Sequence, residues 1–108
     1  MTVIAVLTNL PDSETAHNLA RDLVQLRLAA CVNVLAPVTS FYRWEGKEEH
    51  ATEYPLLIKS TLERYIELEE AIRKRHPYEL PEIVALPVER GLAGYLRWIE
   101  RETSAGGS

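Results

Sequence analysis

The stretch from Leu28 to Lys47 constrains this chain more than any other. It carries the end of a helix, a long apolar strand from Cys31 to Trp44, and a tight reversal at Glu45-Gly46. Residues 48 to 60 read as the return strand. The long strand, at ~3.3 Å per residue, spans roughly 45 Å. A compact domain of about 100 residues has a radius of gyration of only ~13 Å. The hairpin therefore bends sharply or projects beyond its own domain. A projecting arm of Val, Phe, Tyr and Trp invites a second subunit. Pro37 sits mid-strand, where it has no N–H to give a ladder, so a bulge, bend or edge is predicted there.

A two-residue turn at Glu45-Gly46 fixes the register. Trp44 faces Lys47, Arg43 faces Glu48 and Tyr42 faces Glu49, which predicts a cation–π contact and an ion pair near the tip. Extended to the base, the same register sets Val34 beside Leu57 and Leu35 beside Leu56.

The remaining elements follow in order. Val3 to Asn9 is apolar at both parities, as in a strand covered on both faces. Pro11-Asp12-Ser13 breaks it and supplies a helix N-cap. Ala16, Leu19, Ala20, Leu23 and Val24 then recur at helical spacing. Ser60-Thr61-Leu62-Glu63 reads as a capping box, opening a helix that turns Leu62, Tyr65, Ile66 and Ile72 inward and stops at Pro77. Ile83 to Val88 is a last strand. A short helix with Tyr95, Leu96 and Ile99 on one face follows. Thr103 to Ser108 is a Ser/Gly tail, with 104–108 expected to be disordered.

Strand, helix, strand, strand, helix, strand is the split β-α-β order of the ferredoxin-like sandwich. The prediction is an α+β fold in one domain, residues 1–108, with an extended hairpin and a C-terminal helix. Two helices cover one face of the sheet. The other face is apolar too, and a homo-oligomer would cover it.

Composition excludes several functions. A net charge of −4 leaves no electrostatic footprint for nucleic acid or an anionic membrane. No apolar run reaches membrane-span length, and the start lacks a signal-peptide pattern. The single cysteine cannot form an internal disulfide, which favours a cytoplasmic location. No G-x-S-x-G, phosphate loop, H-E-x-x-H or Rossmann fingerprint is present, so an enzyme is not expected.

Four segments together carry a resemblance. Leu28-Ala29-Ala30-Cys31-Val32-Asn33, Tyr42-Arg43-Trp44-Glu45-Gly46-Lys47, His76-Pro77-Tyr78-Glu79-Leu80-Pro81-Glu82-Ile83 and Tyr95-Leu96-Arg97-Trp98 resemble the CutA family of divalent-cation-tolerance proteins. The likeness runs from Val3 to about Thr103. It implies a tight homotrimer with an architecture similar to the PII signalling proteins, and a link to copper and other divalent cations. In animals the family is tied to anchoring of acetylcholinesterase. Members associated with copper carry a cysteine near the end of the first strand and paired histidines before the Pro-Tyr. Leu7 and Arg75-His76 stand at those positions, so only His76 carries over.

Each candidate residue also has a plain structural reading. His76 is a candidate ligand, with Cys31 and Glu82 beside it, for weakly bound copper or another divalent cation. Equally, His76 suits the last turn of a helix, bonded to terminal carbonyls, and Cys31 suits core packing. Tyr42, Trp44, Lys59, Tyr78 and Glu82 are candidates for an intersubunit cleft. Alternatively Lys59 and Glu82 form an ion pair and the aromatics fill an interface. Three functions compete: a non-enzymatic homotrimer of cation tolerance, a PII-like sensor that binds a small ligand in the three intersubunit clefts, and a structural trimer that anchors another protein.

Overall fold

The computed structural model describes residues 2–104. The elements are β1 (Val3–Leu10), α1 (Ser13–Gln25), β2 (Cys31–Val34), β3 (Val38–Trp44), β4 (Lys47–Thr61), a single 3-10 turn (Leu62–Arg64), α2 (Tyr65–Arg75), β5 (Val84–Pro87) and α3 (Ala93–Glu102). The sheet runs β2-β4-β1-β5, antiparallel throughout, and β3 pairs with the other half of β4. With β2 and β3 taken as one interrupted strand, this is the expected ferredoxin-like sandwich.

The long strand is broken at Leu35-Ala36-Pro37, and the break changes its register. Along the arm Val38 pairs with Glu53 and Trp44 with Lys47, as predicted. At the base Val34 pairs with Leu56, not Leu57. The Leu35 N–H donates to the Pro55 carbonyl at 2.9 Å, so Leu35 does not meet Leu56. Three residues (35–37) thus oppose two (54–55), and the extra residue sits beside Pro37, which cannot donate. One inserted residue exchanges the two faces of the strand beyond it.

At the tip, Glu45 (φ 50°) and Gly46 (φ 80°) form the left-handed pair that a two-residue hairpin turn requires. Among the described residues neither the Trp44–Lys47 cation–π contact nor the Arg43–Glu48 ion pair forms. Instead Phe41 lies over His50 across the strands, ring centres 5.5 Å apart. The molecule measures 46 × 26 × 23 Å. The arm residues are almost all exposed, as fits a hairpin projecting along the long axis.

The core lies between the sheet and α1–α2. Ile4, Val6, Leu10, Leu56 and Ile58 meet Leu19, Leu23, Leu68 and Ile72. Asp12 caps α1, its Oδ1 accepting from the Thr15 N–H at 2.8 Å. The predicted capping box at Ser60 is not formed. β4 continues through Thr61 because Ile4 and Val3 of β1 are there to pair with Ser60 and Thr61. The Ser60 hydroxyl donates to the buried Leu28 carbonyl at 2.6 Å instead. With α2 starting at Tyr65, its inward set becomes Leu68, Ala71 and Ile72, while Leu62 and Ile66 face outward, Ile66 82% exposed.

The second face of the sheet is only partly covered. α3 packs on β1 and β4, and its Ile99 is buried outside the main core, as are Val3 and Thr61. Further along, Leu7 and Leu57 are half-buried, while Val84 and Leu86 of β5 are exposed. The tail begins later than predicted. Thr103 is fully buried, its hydroxyl donating to the Ile99 carbonyl at 2.8 Å. The rest of the expected tail, 105–108, lies outside the described residues.

Candidate functional site: an aromatic cleft between the arm and the loop after α2

Pro77 ends α2, and the backbone of His76 turns extended (φ −86°, ψ 133°). This swings the imidazole back against the sheet. Its Nε2 lies 2.7 Å from the Asn9 carbonyl oxygen, and its Nδ1 lies 3.2 Å from the Tyr78 amide nitrogen. A carbonyl only accepts and an amide N–H only donates. The ring is therefore the neutral tautomer protonated on Nε2. Burial lowers the His76 pKa below its usual value; the Asn9 bond and the Glu53 charge oppose that shift in part.

The partner carbonyl is free for a topological reason. The Pro55 carbonyl points toward Leu35, on the β2 side, so the backbone of Asn9 opposite it faces the β5 edge. β5 reaches only Val84, opposite Leu7. His76 takes the place opposite Asn9 that residue 82 would have filled had β5 begun two residues earlier.

Two further bonds tie the 76–82 loop down. The Tyr78 hydroxyl donates to Glu53 Oε2 at 3.0 Å, and Asn9 Nδ2 donates to Glu82 Oε1 at 2.9 Å. Burial, then the bond to Glu53 and its charge, push the Tyr78 phenol up to about 12, so it remains a hydrogen donor at ordinary pH. The loop thus makes one rigid wall. Tyr42 and Trp44, on one face of β3, make the other, while the Phe41 ring turns to the opposite face over His50. Between them lies a cleft of ≈ 900 Å³, closed off by Asn9, Ser40, Arg43 and Glu53 and by residues 77–82.

Four of the five expected cleft residues, Tyr42, Trp44, Tyr78 and Glu82, meet here, and they do so within a single chain. Lys59 does not. It lies across from Cys31 and Ala5 on the second sheet face, where its ammonium bonds Asn33 Oδ1 and approaches Cys31 Sγ at 3.8 Å. The Lys59–Glu82 ion pair is accordingly not formed. Cys31 is half-buried and free beside this lysine, rather than in the core. Asn9 and Glu53 were not singled out from the sequence. The available signal was a polar residue ending an apolar strand, and a buried tyrosine that needs a partner.

The three candidate metal ligands do not converge: His76 and Glu82 are each held by Asn9, and Cys31 lies on β2 beside Lys59. Among the described residues no three of His, Cys, Asp and Glu converge. Both His76 nitrogens are committed, and Glu82 is engaged by Asn9. Within one chain these residues do not fit a copper site. Nor does a neutral imidazole with both nitrogens bonded suit proton transfer.

Comparison with known proteins follows the same outline. Residues 4–102 match the family model described as CutA1 divalent ion tolerance protein. The chain belongs to the CutA family. It is 44% identical over 98 residues to the divalent-cation tolerance protein CutA of Thermus thermophilus, covering 91% of this chain and 95% of that one. It is 43% identical over 95 residues to a CutA homolog of Xenopus laevis, covering 88% of this chain but 63% of the frog protein. The solved structure of the Thermus thermophilus divalent cation tolerance protein superposes with a TM-score of 0.92 at 42% identity, covering 94% of this chain and 99% of that one. The CutA match over residues 4–102 takes in the arm, the 76–82 loop and the whole of α3.

Proposed function

We propose that this chain acts as a homotrimeric, non-enzymatic protein of divalent-cation tolerance, whose contact with copper or another divalent cation is weak. Family membership supports the tolerance role. The observation that carries the assembly is the exposed arm together with the half-covered second face, where Leu7, Leu57, Val84 and Leu86 form an apolar band. The free edges of β3 and β5 add unpaired backbone that another copy can meet. Light scattering at micromolar concentration tests this. The expected mass is about three times 12.3 kDa, and a monomer overturns the proposal. A cytoplasmic location is part of the same reading, resting on one free thiol. No helix among the described residues is long and apolar enough to cross a membrane.

A second reading is favoured by the convergence of Tyr42, Trp44, Tyr78 and Glu82. In it these residues line intersubunit clefts that hold a small ligand, and the protein is a sensor similar in design to PII. A thermal-shift panel of nucleotides and metabolites tests it, because a ligand bound only to the native state raises Tm. Anchoring of a protein partner has no comparable feature in the cleft, and pull-down from extract addresses it.

A further inference from the structure

The chain just after α1 holds a strained residue. Arg27 has φ 60°, in the left-handed region, and follows the last turn of the helix. Its N–H donates to the Val24 carbonyl at 3.0 Å, and the Leu28 N–H donates to the Leu23 carbonyl at 3.1 Å. Glycine normally serves this kind of helix ending, because a Cβ is unfavourable in the left-handed conformation. Arginine here costs backbone strain, and its Nε is buried without a partner. What the position gains is reach. Arg27 Nη2 donates to the Arg101 carbonyl at 3.2 Å, in the last turn of α3. α1 lies on one face of the sheet and α3 on the other, so this bond joins the two layers. One cation thereby serves the C-terminal ends of two helices, where positive charge is favourable.

α3 itself is attached lightly. Its Ile99 is 1% exposed, yet it stands outside the main core, as do Val3 and Thr61. A satellite of this kind can open while the core stays closed. The segment before α3 suits a hinge. The Val88 N–H donates to the Val3 carbonyl at 3.0 Å, where the backbone leaves the sheet. Glu89 and Arg90 are exposed. Gly91 then lies against α3, so close that an added Cβ would stand 3.0 Å from Leu96 Cδ2. Gly91 and α3 thus make one piece, joined to the sheet through residues 89–90. We infer that α3 is a strap that opens from the sheet as a unit, and that Arg27 is the latch that holds its far end closed. These contacts are internal to one chain, so they do not depend on which surface a neighbour covers. Opening uncovers Val3, which shares its face of β1 with Leu7, and so lengthens the apolar band that the assembly reading gives to a second copy.

The test is native-state hydrogen exchange of the full chain, read by mass spectrometry on peptides from α1, β1 and α3. Arg27→Gly and Arg27→Asn are compared with wild type. Both substitutes accept the left-handed backbone, so both keep the ending of α1 and fold. The amides of Leu96 to Thr103 should exchange about fivefold faster in each variant, while those of α1 and β1 keep their rates or slow. Unchanged exchange in α3 removes Arg27 as the latch. Equal acceleration of α1 and α3 makes Arg27 a cap of α1 alone, and overturns the inference too. So does exchange of wild-type α3 at the rate of β1, since α3 then opens only with the whole fold. Light scattering on the same samples keeps the two readings apart, because the latch is judged by exchange and the assembly by mass.

Discussion

His76 donates from Nε2 to the Asn9 carbonyl across 2.7 Å, at the point where β5 stops and β1 continues. This bond makes His76 a piece of the sheet as much as of the helix it ends. Its Nδ1 holds the Tyr78 amide, and Tyr78 in turn holds Glu53. The buried ring is thus one of three ties on the cleft wall, with Tyr78–Glu53 and Asn9–Glu82. His76→Ala leaves the Asn9 carbonyl and the Tyr78 N–H without partners. It should cost about 1–3 kcal/mol, read from urea unfolding. A change of less than a few tenths would mean that water replaces the ring without loss.

The same ring predicts a pH dependence. Its folded pKa lies below the ordinary imidazole value of 6.5, with burial the main cause. Below pH 6.5 the unfolded chain therefore binds more protons at this site than the folded one. The stability from a neutral His76 is full above 6.5 and is lost as pH falls toward the folded pKa. Wild type should lose more stability than His76→Gln between about pH 7 and pH 5, compared by thermal melts. Parallel curves for the two proteins would place no share of the acid sensitivity on His76.

Thr8 offers a change of opposite sign. It is fully buried on the helix-facing side of β1, and its hydroxyl has no hydrogen-bond partner. An unpaired buried hydroxyl is a cost that a methyl group removes. Thr8→Val should stabilise the fold by about 1 kcal/mol. A loss of stability in denaturant titration would show that a hidden water satisfies the hydroxyl.

The fold class was legible because its signals are periodic. The arm's register followed from two turn residues, Glu45 and Gly46. What failed was phase. Counting back from the turn put Val34 beside Leu57, since nothing in the residue pattern says whether Pro37 bends a strand or adds a residue to it. Ser60-Thr61-Leu62-Glu63 matched a capping box. Yet the same backbone groups were claimed by β1, and a strand partner 56 residues away is invisible to a local motif. That one displacement also moved Leu68 inward and Ile66 out. For the site, Tyr42, Trp44, Tyr78 and Glu82 were readable from the arm and the His-Pro-Tyr segment. Lys59 was misplaced because alternate residues of β4 face opposite sides of the sheet. Asn9 matters through its carbonyl, which no side-chain pattern reveals.

Trp44 tests whether the arm meets another copy. In the isolated chain its ring is 42% exposed at the mouth of the cleft. If the arm docks on a neighbour, Trp44→Ala should weaken assembly by about 2–4 kcal/mol, as for a buried aromatic at an interface. Subunit exchange and the concentration dependence of Tm would both register it. Unchanged exchange together with an unchanged Tm would place Trp44 in solvent or in the ligand cleft alone.

Copper tests the site from the other direction. The resemblance implied His76 as a ligand, with Cys31 and Glu82 as additions. In the folded chain His76 gives one nitrogen to Asn9 and the other to Tyr78. A metal that took either nitrogen would have to break that bond and leave a buried group unpaired. Cys31 stands beside the Lys59 ammonium, and Glu82 accepts from Asn9 Nδ2. Cu(II) binding should therefore be weak, about micromolar or poorer, because one chain supplies no converging imidazole and carboxylate set. The His76→Ala protein should bind it with an affinity within about twofold of wild type while unfolding more easily. Calorimetric titration of both proteins reads the first quantity and thermal melts the second. Loss of copper affinity in His76→Ala would show that the ring leaves Asn9 to take the metal. Nanomolar binding by wild type would require ligands from more than one copy, with Cys31 first among them, since thiolate is the softest donor the chain has.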